Sequence, residues 1–149
     1  MNMASTDLLK QVSIFSGLSG NQLARIASLC REETHDKDDV IIQEKEPSNE
    51  LYIIREGTVE IVLGTPSSSG PTPILHLGKG QIFGEFSLVD RGLRSATVNA
   101  TADGTILYAI NRDDFVQLCD QDTHIGYIVM RNIAADLSFK LRHYNLTWR

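Results

Sequence analysis

The sequence lacks the features that mark several common classes of protein. Its 149 residues include two cysteines, Cys30 and Cys119, and neither has a partner at metal-ligand spacing. We therefore expect both to be buried free thiols in a reducing compartment. No apolar run approaches the length of a membrane span, and the first residues lack the apolar core of a signal peptide. These absences predict a cytoplasmic protein that makes no membrane contact.

The chain also has fewer basic than acidic residues. The 19 acidic and 14 basic residues give a formal net charge of −5. Broad binding to nucleic acid or to a membrane surface needs an extended basic footprint, so we expect neither. A small anion held by one local arginine remains compatible with an acidic chain.

The middle of the chain is rich in short β-type runs. They lie at 40–42, 51–54, 58–63, 74–77, 96–98 and 105–110, and turn residues separate them. Many short strands at this spacing predict a mainly β protein, an antiparallel β-roll or jelly-roll-like barrel, over residues 31–110. The segment 65–73 holds three prolines in nine residues, which indicates an exposed hairpin loop.

Helices are predicted on both sides of this roll. Ser5 or Thr6 can open a short N-terminal helix, and an S-x-x-Q capping box, Ser19 with Gln22, precedes a second one within residues 1–30.

After the roll, Asn111 begins a short helix with acids in its first turn, and a break at 120–123 follows. A long amphipathic helix then runs from about His124 to Asn145. Its apolar stripe comprises Met130, Ile133, Leu137, Leu141 and Tyr144. We expect one domain, 1–149, in which residues 111–149 are a hinge and a C-terminal helix.

Groupings that indicate catalysis or metal binding are missing. A metal-binding β-roll of the cupin kind would cluster histidines on adjacent strands, but the four histidines are scattered: His35, His76, His124 and His143. Ser87 and Ser95 have no histidine near them in sequence, and no electropositive neighbourhood activates Cys119. We predict neither an enzyme nor a metal protein.

One stretch, residues 83–98, reads FGEFSLVDRGLRSATV and sets two charges among half-buried residues. A turn of helix after Gly84 would present free backbone N–H groups to an anion. If the chain folds back at 90–93, the guanidinium of Arg94 faces the same anion, and its planar fork matches a phosphate. Glu85 would be repelled by a phosphate, so it either accepts a sugar hydroxyl or braces Arg94. Taken alone, these two charges favour an internal ion pair, because buried charges usually pair with each other.

This set resembles the phosphate-binding cassette of the cyclic-nucleotide-binding domains. These are the modules of the catabolite activator protein, of the regulatory subunits of cyclic-AMP-dependent kinase and of cyclic-nucleotide-gated channels. The likeness covers nearly the whole chain and includes ELYIIREGTVEIV, LGKGQIFGE, FGEFSLV and RSATV. It implies a β-roll flanked by helices, a cassette at 83–97, and a last helix that closes over the base as a lid.

The resemblance also implies the roles of individual residues. The turn Gly84–Ser87 and the Arg94 side chain would bind the cyclic phosphate, and Glu85 would accept the ribose 2′-hydroxyl. Ser95 would bond a phosphate oxygen or the base. The residues implied in ligand binding are Phe83, Gly84, Glu85, Phe86, Ser87, Arg94 and Ser95, and the candidate lid contacts to the base are Tyr144 and Asn145.

Some positions depart from the family pattern. The family usually has glycine where this chain has Lys45 and Ser48, and aspartate where it has Asn49. A non-glycine residue at positive φ costs on the order of 1 kcal/mol, but these turns lie outside the phosphate-binding cassette. Ser95 stands where cyclic-AMP sites often have alanine and cyclic-GMP sites threonine. Bacterial cyclic-AMP activators also carry serine, which favours cyclic AMP.

The predicted function is a cytoplasmic cyclic-nucleotide sensor, with cyclic AMP favoured over cyclic GMP and no cofactor, that signals through movement of its C-terminal helices. One alternative is a binding-dead interaction or dimerisation module, in which Arg94 is paired internally. Another is a fragment of a larger protein such as a DNA-binding regulator. A regulator of that kind needs a helix-turn-helix after the last helix, and the sequence reaches Arg149 without one. A homodimer through the C-terminal helix is a candidate arrangement. The protein effector is unknown.

Overall fold

The computed structural model describes residues 5–47, 49–63, 72–90 and 92–144. It begins with two helices, α1 (Thr6–Lys10) and α2 (Gly20–Ala27), separated by a 3₁₀ turn at Ser13–Phe15. The Ser5 side chain caps α1 by accepting the N–H of Asp7. The capping box of α2 is complete, because Ser19 and Gln22 each accept the other's backbone N–H. Both predicted helix starts are confirmed.

Within the described residues, eight strands form two antiparallel four-stranded sheets. The strands are β1 (Arg31–His35), β2 (Val40–Ile42), β3 (Glu50–Glu56), β4 (Val59–Leu63), β5 (Thr72–Leu77), β6 (Ile82–Phe83), β7 (Thr97–Ala100) and β8 (Thr105–Asn111). One sheet has the order β1-β8-β3-β6 and the other β2-β7-β4-β5. The predicted antiparallel β-roll is confirmed.

The strands differ from the sequence prediction most clearly at β1, which was not predicted, and at the start of β5. Strand β1 reads REETH, and its charged residues give no apolar alternation, so only its hydrogen bonding to β8 reveals it as a strand. Strand β5 begins at Thr72, which places the last two residues of the predicted loop 65–73 in a strand. Pro73 is tolerated there because β5 is an edge strand. The rest of the predicted loop, 65–71, lies outside the described residues.

Two apolar clusters hold these layers together. The smaller fills the interior of the roll and includes Tyr52, Phe83 and Val98. The larger joins the helices at both ends of the chain to the sheet that contains β3 and β8; among its fully buried side chains are Leu9, Phe15, Ile26, Leu51, Ile53, Ile110, Phe115 and Ile125. The N-terminal and C-terminal helices therefore share one core.

The chain leaves the roll through two further helices. Helix α3 (Arg112–Gln121) is capped by the Asn111 side chain, which accepts the N–H groups of Asp113 and Asp114. Helix α4 spans Thr123–Tyr144. Of the described helices, none combines the length and apolar character that crossing a membrane requires.

The buried face of α4 differs in part from the predicted stripe. Ile133 is buried as expected, but Ile125 and Val129 complete the buried row. Leu141 is 56% exposed, so the stripe leaves the core before its predicted end. The Tyr144 side chain and Asn145 lie outside the described residues, and their lid contacts stay a prediction.

The two cysteines are free and partly buried rather than fully buried. Burial raises the pKa of the Cys30 thiol to about 12. Burial, with the nearby acids Asp120 and Asp122, raises the pKa of Cys119 to about 11. Both thiols are thus held in the protonated, weakly nucleophilic form at neutral pH.

Candidate functional site

A cavity of about 730 Å³ opens between the roll and helix α4. Its apolar wall includes, from the strands, Ile42, Ile61, Leu75, Leu77 and Val98. Residues 83–86 and 92–96 form a polar side, and Asp136 and Lys140 reach it from α4. The cavity therefore offers both apolar surface and charge to one small molecule, as ligand sites commonly do.

Gly84 is required at its position for two independent reasons. Its φ of 79° lies in the left-handed region, from which the 3₁₀ turn Glu85–Leu88 begins. A Cβ at this position would also lie 2.7 Å from the carbonyl oxygen of Glu50 and 2.8 Å from Nη1 of Arg94. The absent side chain is what lets the Arg94 guanidinium approach the turn, so the fold-back that the sequence left as a condition is present.

Backbone hydrogen bonds fix the segment that carries Arg94. Its N–H donates to the carbonyl of Glu46 at 2.8 Å, and its carbonyl accepts the N–H of Lys45 at 2.8 Å. Lys45 itself has a φ of 74°, so a lysine adopts the left-handed conformation where the family usually has glycine. The other departure from glycine, Ser48, lies outside the described residues. The carbonyl of Asn49 accepts the N–H of Arg112, the first residue of α3, at 2.8 Å.

The Arg94 guanidinium has an incomplete set of partners. Nη2 donates to the carbonyl oxygen of Glu50 at 2.8 Å. Within the described ranges, no carboxylate lies within ion-pair distance of it, and Glu50 O is its one hydrogen-bond acceptor. Burial lowers the pKa of Arg94, while the charges of Tyr52, Glu50 and Glu85 oppose that shift. A guanidinium carries five N–H donors, so most of them remain available to a ligand.

Glu85 lines the cavity as a carboxylate whose charge is disfavoured by its surroundings. Burial raises its pKa, and Asp136 acts in the same direction. Lys140, the Glu85 backbone N–H and Arg94 oppose the shift. No ion pair joins Glu85 to Arg94 among the described side chains, so the internal pairing considered from the sequence is not seen there.

The remaining cassette residues divide into lining and supporting positions. Phe86 and Ser95 line the cavity and are exposed. Phe83 also borders it, but its ring is buried and stacks on Tyr52 with centroids 5.0 Å apart. Ser87 is fully buried, and both its Oγ and its N–H donate to the carbonyl of Gly84, at 2.7 and 3.1 Å. Ser87 therefore closes the turn, and any contact with a ligand stays a prediction for it.

Several lining residues were not predicted from the sequence. The apolar wall follows from strand alternation, but the sequence does not say which face of each strand meets a cavity. Asp136 and Lys140, one helical turn apart on α4, form an ion pair at 2.9 Å. Their position beside the cassette was missed, because it depends on how α4 packs across the roll.

Several known proteins are similar to this chain in sequence and in fold. Residues 32–122 match the family model of the cyclic nucleotide-binding domain. Human cGMP-dependent protein kinase 2 is 32% identical over 111 residues, which is 74% of this chain but 15% of that protein. The chain thus spans a small part of the curated relatives it matches.

Solved structures extend the likeness to almost the full chain. The N-terminal domain of a transcriptional regulator from Streptomyces coelicolor has a TM-score of 0.81 at 26% identity, over 90% of this chain and 94% of that one. The catabolite activator protein of Thermus thermophilus has a TM-score of 0.79 at 28% identity, over 91% and 61%. Since the family model covers more than half of the chain and the two-sheet roll agrees with it, the chain belongs to the cyclic nucleotide-binding domain family.

Proposed function

We propose that this chain is a cytoplasmic, non-catalytic sensor of a cyclic nucleotide, which binds in the cavity beside Arg94. The observation that carries the proposal is the Arg94 guanidinium. It is half-buried and close to Gly84, and no described carboxylate pairs with it. A buried cation without a counter-charge is costly, and an anionic ligand would remove that cost.

Each cassette residue then has a chemical role. Arg94 and the backbone N–H groups of the turn after Gly84 hold the cyclic phosphate. Glu85 accepts the ribose 2′-hydroxyl, and Ser95 bonds a phosphate oxygen or the base. Phe83 and Ser87 support the turn from behind. The apolar wall formed by strand residues such as Leu75 and Val98 covers the base.

Cyclic AMP is the proposed ligand ahead of cyclic GMP. Ser95 favours it, as in bacterial cyclic-AMP activators. The human relative is named as a cGMP-dependent kinase, which makes cyclic GMP the necessary comparison in any titration.

Helices α3 and α4 are the proposed output of the sensor. Asp136 and Lys140 of α4 already line the cavity, so a ligand that contacts them would stabilise one position of the helix. The end of α4, with Tyr144 and Asn145, is the candidate lid over the base. A second copy of the chain through α4, or an effector protein, would receive the signal.

The test is isothermal titration of nucleotide-stripped protein with cyclic AMP, cyclic GMP and linear 5′-AMP. We expect a cyclic nucleotide to bind with micromolar or better affinity, about −8 kcal/mol, and Arg94→Ala to abolish binding. Arg55→Ala is the matched control, because Arg55 pairs with Glu32 on the roll and does not line the cavity. Lack of binding by folded parent protein to both cyclic nucleotides would replace the sensor with an interaction module.

A further inference from the structure

Helix α4 contributes a pair of opposite charges to the cavity. Nζ of Lys140 lies 2.9 Å from Oδ2 of Asp136, one helical turn earlier, and about half of each side chain is exposed. Both residues line the same cavity as Glu85, which approaches it from the roll. The Lys140 ammonium therefore lies in the charged surroundings of the Glu85 carboxylate, and it also pairs with Asp136 on its own helix.

Glu85 needs a positive charge nearby because a carboxylate in a partly buried site is unfavourable. Four groups act on its pKa besides burial: Lys140 and Asp136 on α4, Arg94, and its own backbone N–H. Among them, Lys140 has the largest effect that favours the ionised form. Asp136 opposes it, but also holds the ammonium in place through the ion pair.

A bound phosphate would change this balance. In the proposed function Arg94 pairs with the ligand phosphate, whose negative charge cancels the help that Arg94 gives to Glu85. Lys140 is then the cation left to face the carboxylate. A protonated Glu85 would also lose acceptor capacity toward a hydroxyl, since its proton occupies one oxygen.

We propose that Lys140 is a positioning residue that keeps the Glu85 carboxylate available as the acceptor of the ribose 2′-hydroxyl. This role of Lys140 rests on the proposed function. It adds a link from helix α4 to the ribose, which is separate from any contact between the lid and the base. A nucleotide without the 2′-hydroxyl would gain nothing from Lys140.

The experiment is a double comparison of protein variants and ligands. Cyclic AMP and 2′-deoxy cyclic AMP are titrated into the parent protein, Lys140→Met, Lys140→Arg and Arg142→Met, with the cyclic GMP pair run alongside. Arg142 is an exposed cation of the same helix that does not line the cavity, so it controls for net charge. Thermal melting without ligand checks that each variant is folded.

We expect Lys140→Met to weaken cyclic AMP binding roughly five- to tenfold, and to change 2′-deoxy cyclic AMP binding by less than about twofold. Lys140→Arg should retain the affinity of the parent, and so should Arg142→Met. The role of Lys140 would be overturned by an equal loss for both ligands, by the same loss in Arg142→Met, or by parent protein that does not distinguish the ribo- and deoxy-nucleotides. Absence of any cyclic-nucleotide binding by the parent would overturn the proposed function itself.

Discussion

Arg94 donates from Nη2 to the backbone carbonyl of Glu50, 44 residues earlier in the chain, at 2.8 Å. This bond aims the guanidinium along the inner face of the turn after Gly84. A carbonyl partner does not neutralise the positive charge, whereas a directly paired carboxylate would. The bond therefore positions Arg94 while leaving its charge for a ligand.

The first prediction concerns Gly84. Gly84→Ala forces a Cβ against the Glu50 carbonyl and the Arg94 guanidinium, and it strains a backbone with φ of 79°. We expect a loss of about 2–3 kcal/mol in the free energy of unfolding, and loss of cyclic-nucleotide binding because Arg94 is displaced. Denaturant unfolding and titration measure the two effects.

Gly104→Ala is the matched control for this substitution. Gly104 has a similar φ of 68°, but a Cβ there meets no atom within 4 Å. It should cost about 1 kcal/mol from the backbone alone and leave ligand binding intact. Equal losses of stability and of binding in Gly84→Ala and Gly104→Ala would show that crowding at Arg94 plays no part.

The second prediction is a pH dependence with opposite signs for stability and binding. Burial raises the pKa of Glu85, so its charge destabilises the unliganded fold, and this cost disappears as pH falls through the raised pKa. Ligand binding needs the ionised carboxylate, so affinity should fall over that same interval, which lies above the ordinary value of 4.5.

Titrations from neutral pH down to the ordinary value of 4.5 would follow this effect. Glu85→Gln should bind cyclic AMP more weakly and lack that pH-dependent loss, because glutamine does not titrate. An identical pH profile in the parent and in Glu85→Gln would assign the dependence to another group.

The third prediction concerns the start of α3. The Asn111 side chain accepts two backbone N–H groups of the first turn. Asn111→Ala should lower the free energy of unfolding by about 1 kcal/mol, and Asn111→Asp should retain most of it, since a carboxylate also caps a helix. Chemical denaturation would decide, and a loss in Asn111→Asp as large as in Asn111→Ala would contradict capping as the cause.

The fourth prediction concerns the attachment of α4 to the N-terminal turn. Nδ2 of Asn132 donates to the carbonyls of Ile14 and Ser16, each at 2.9 Å. Asn132→Ala should cost about 1–2 kcal/mol of stability. Asn132→Asp should cost at least as much, because a carboxylate of the same shape has no N–H to donate. If Asn132→Asp proved neutral in thermal melting, these two hydrogen bonds would not be what anchors the helix.

Local signals in the sequence predicted the parts of the fold that depend on neighbouring residues. The capping box of Ser19 and Gln22, the cap at Asn111 and the turn at Gly84 each involve residues within a few positions of one another. Strand β1 was missed because its charged residues carry no apolar period, although its pairing with β8 is continuous.

The candidate site divides in the same way, into features that the local sequence predicted and features that depend on contacts between distant residues. The order of residues in the sequence predicted that Gly84, Glu85 and Arg94 face one site, and all three line one cavity, while their contacts with a ligand stay a prediction. The Glu50 carbonyl that holds Arg94 was not predictable, because a backbone acceptor has no residue signature. The approach of Lys140 was not predictable either, since it depends on the packing of a whole helix across the roll.

The chain between Lys45 and Asn49 is tied down at both of its ends. Lys45 and Glu46 bond the backbone of Arg94, and the Asn49 carbonyl bonds the first N–H of α3. Both bonded positions thus lie within five residues of each other in the sequence. In the proposed sensor, a ligand that displaced the Arg94 backbone would act on a stretch of chain that is also bonded to the start of α3.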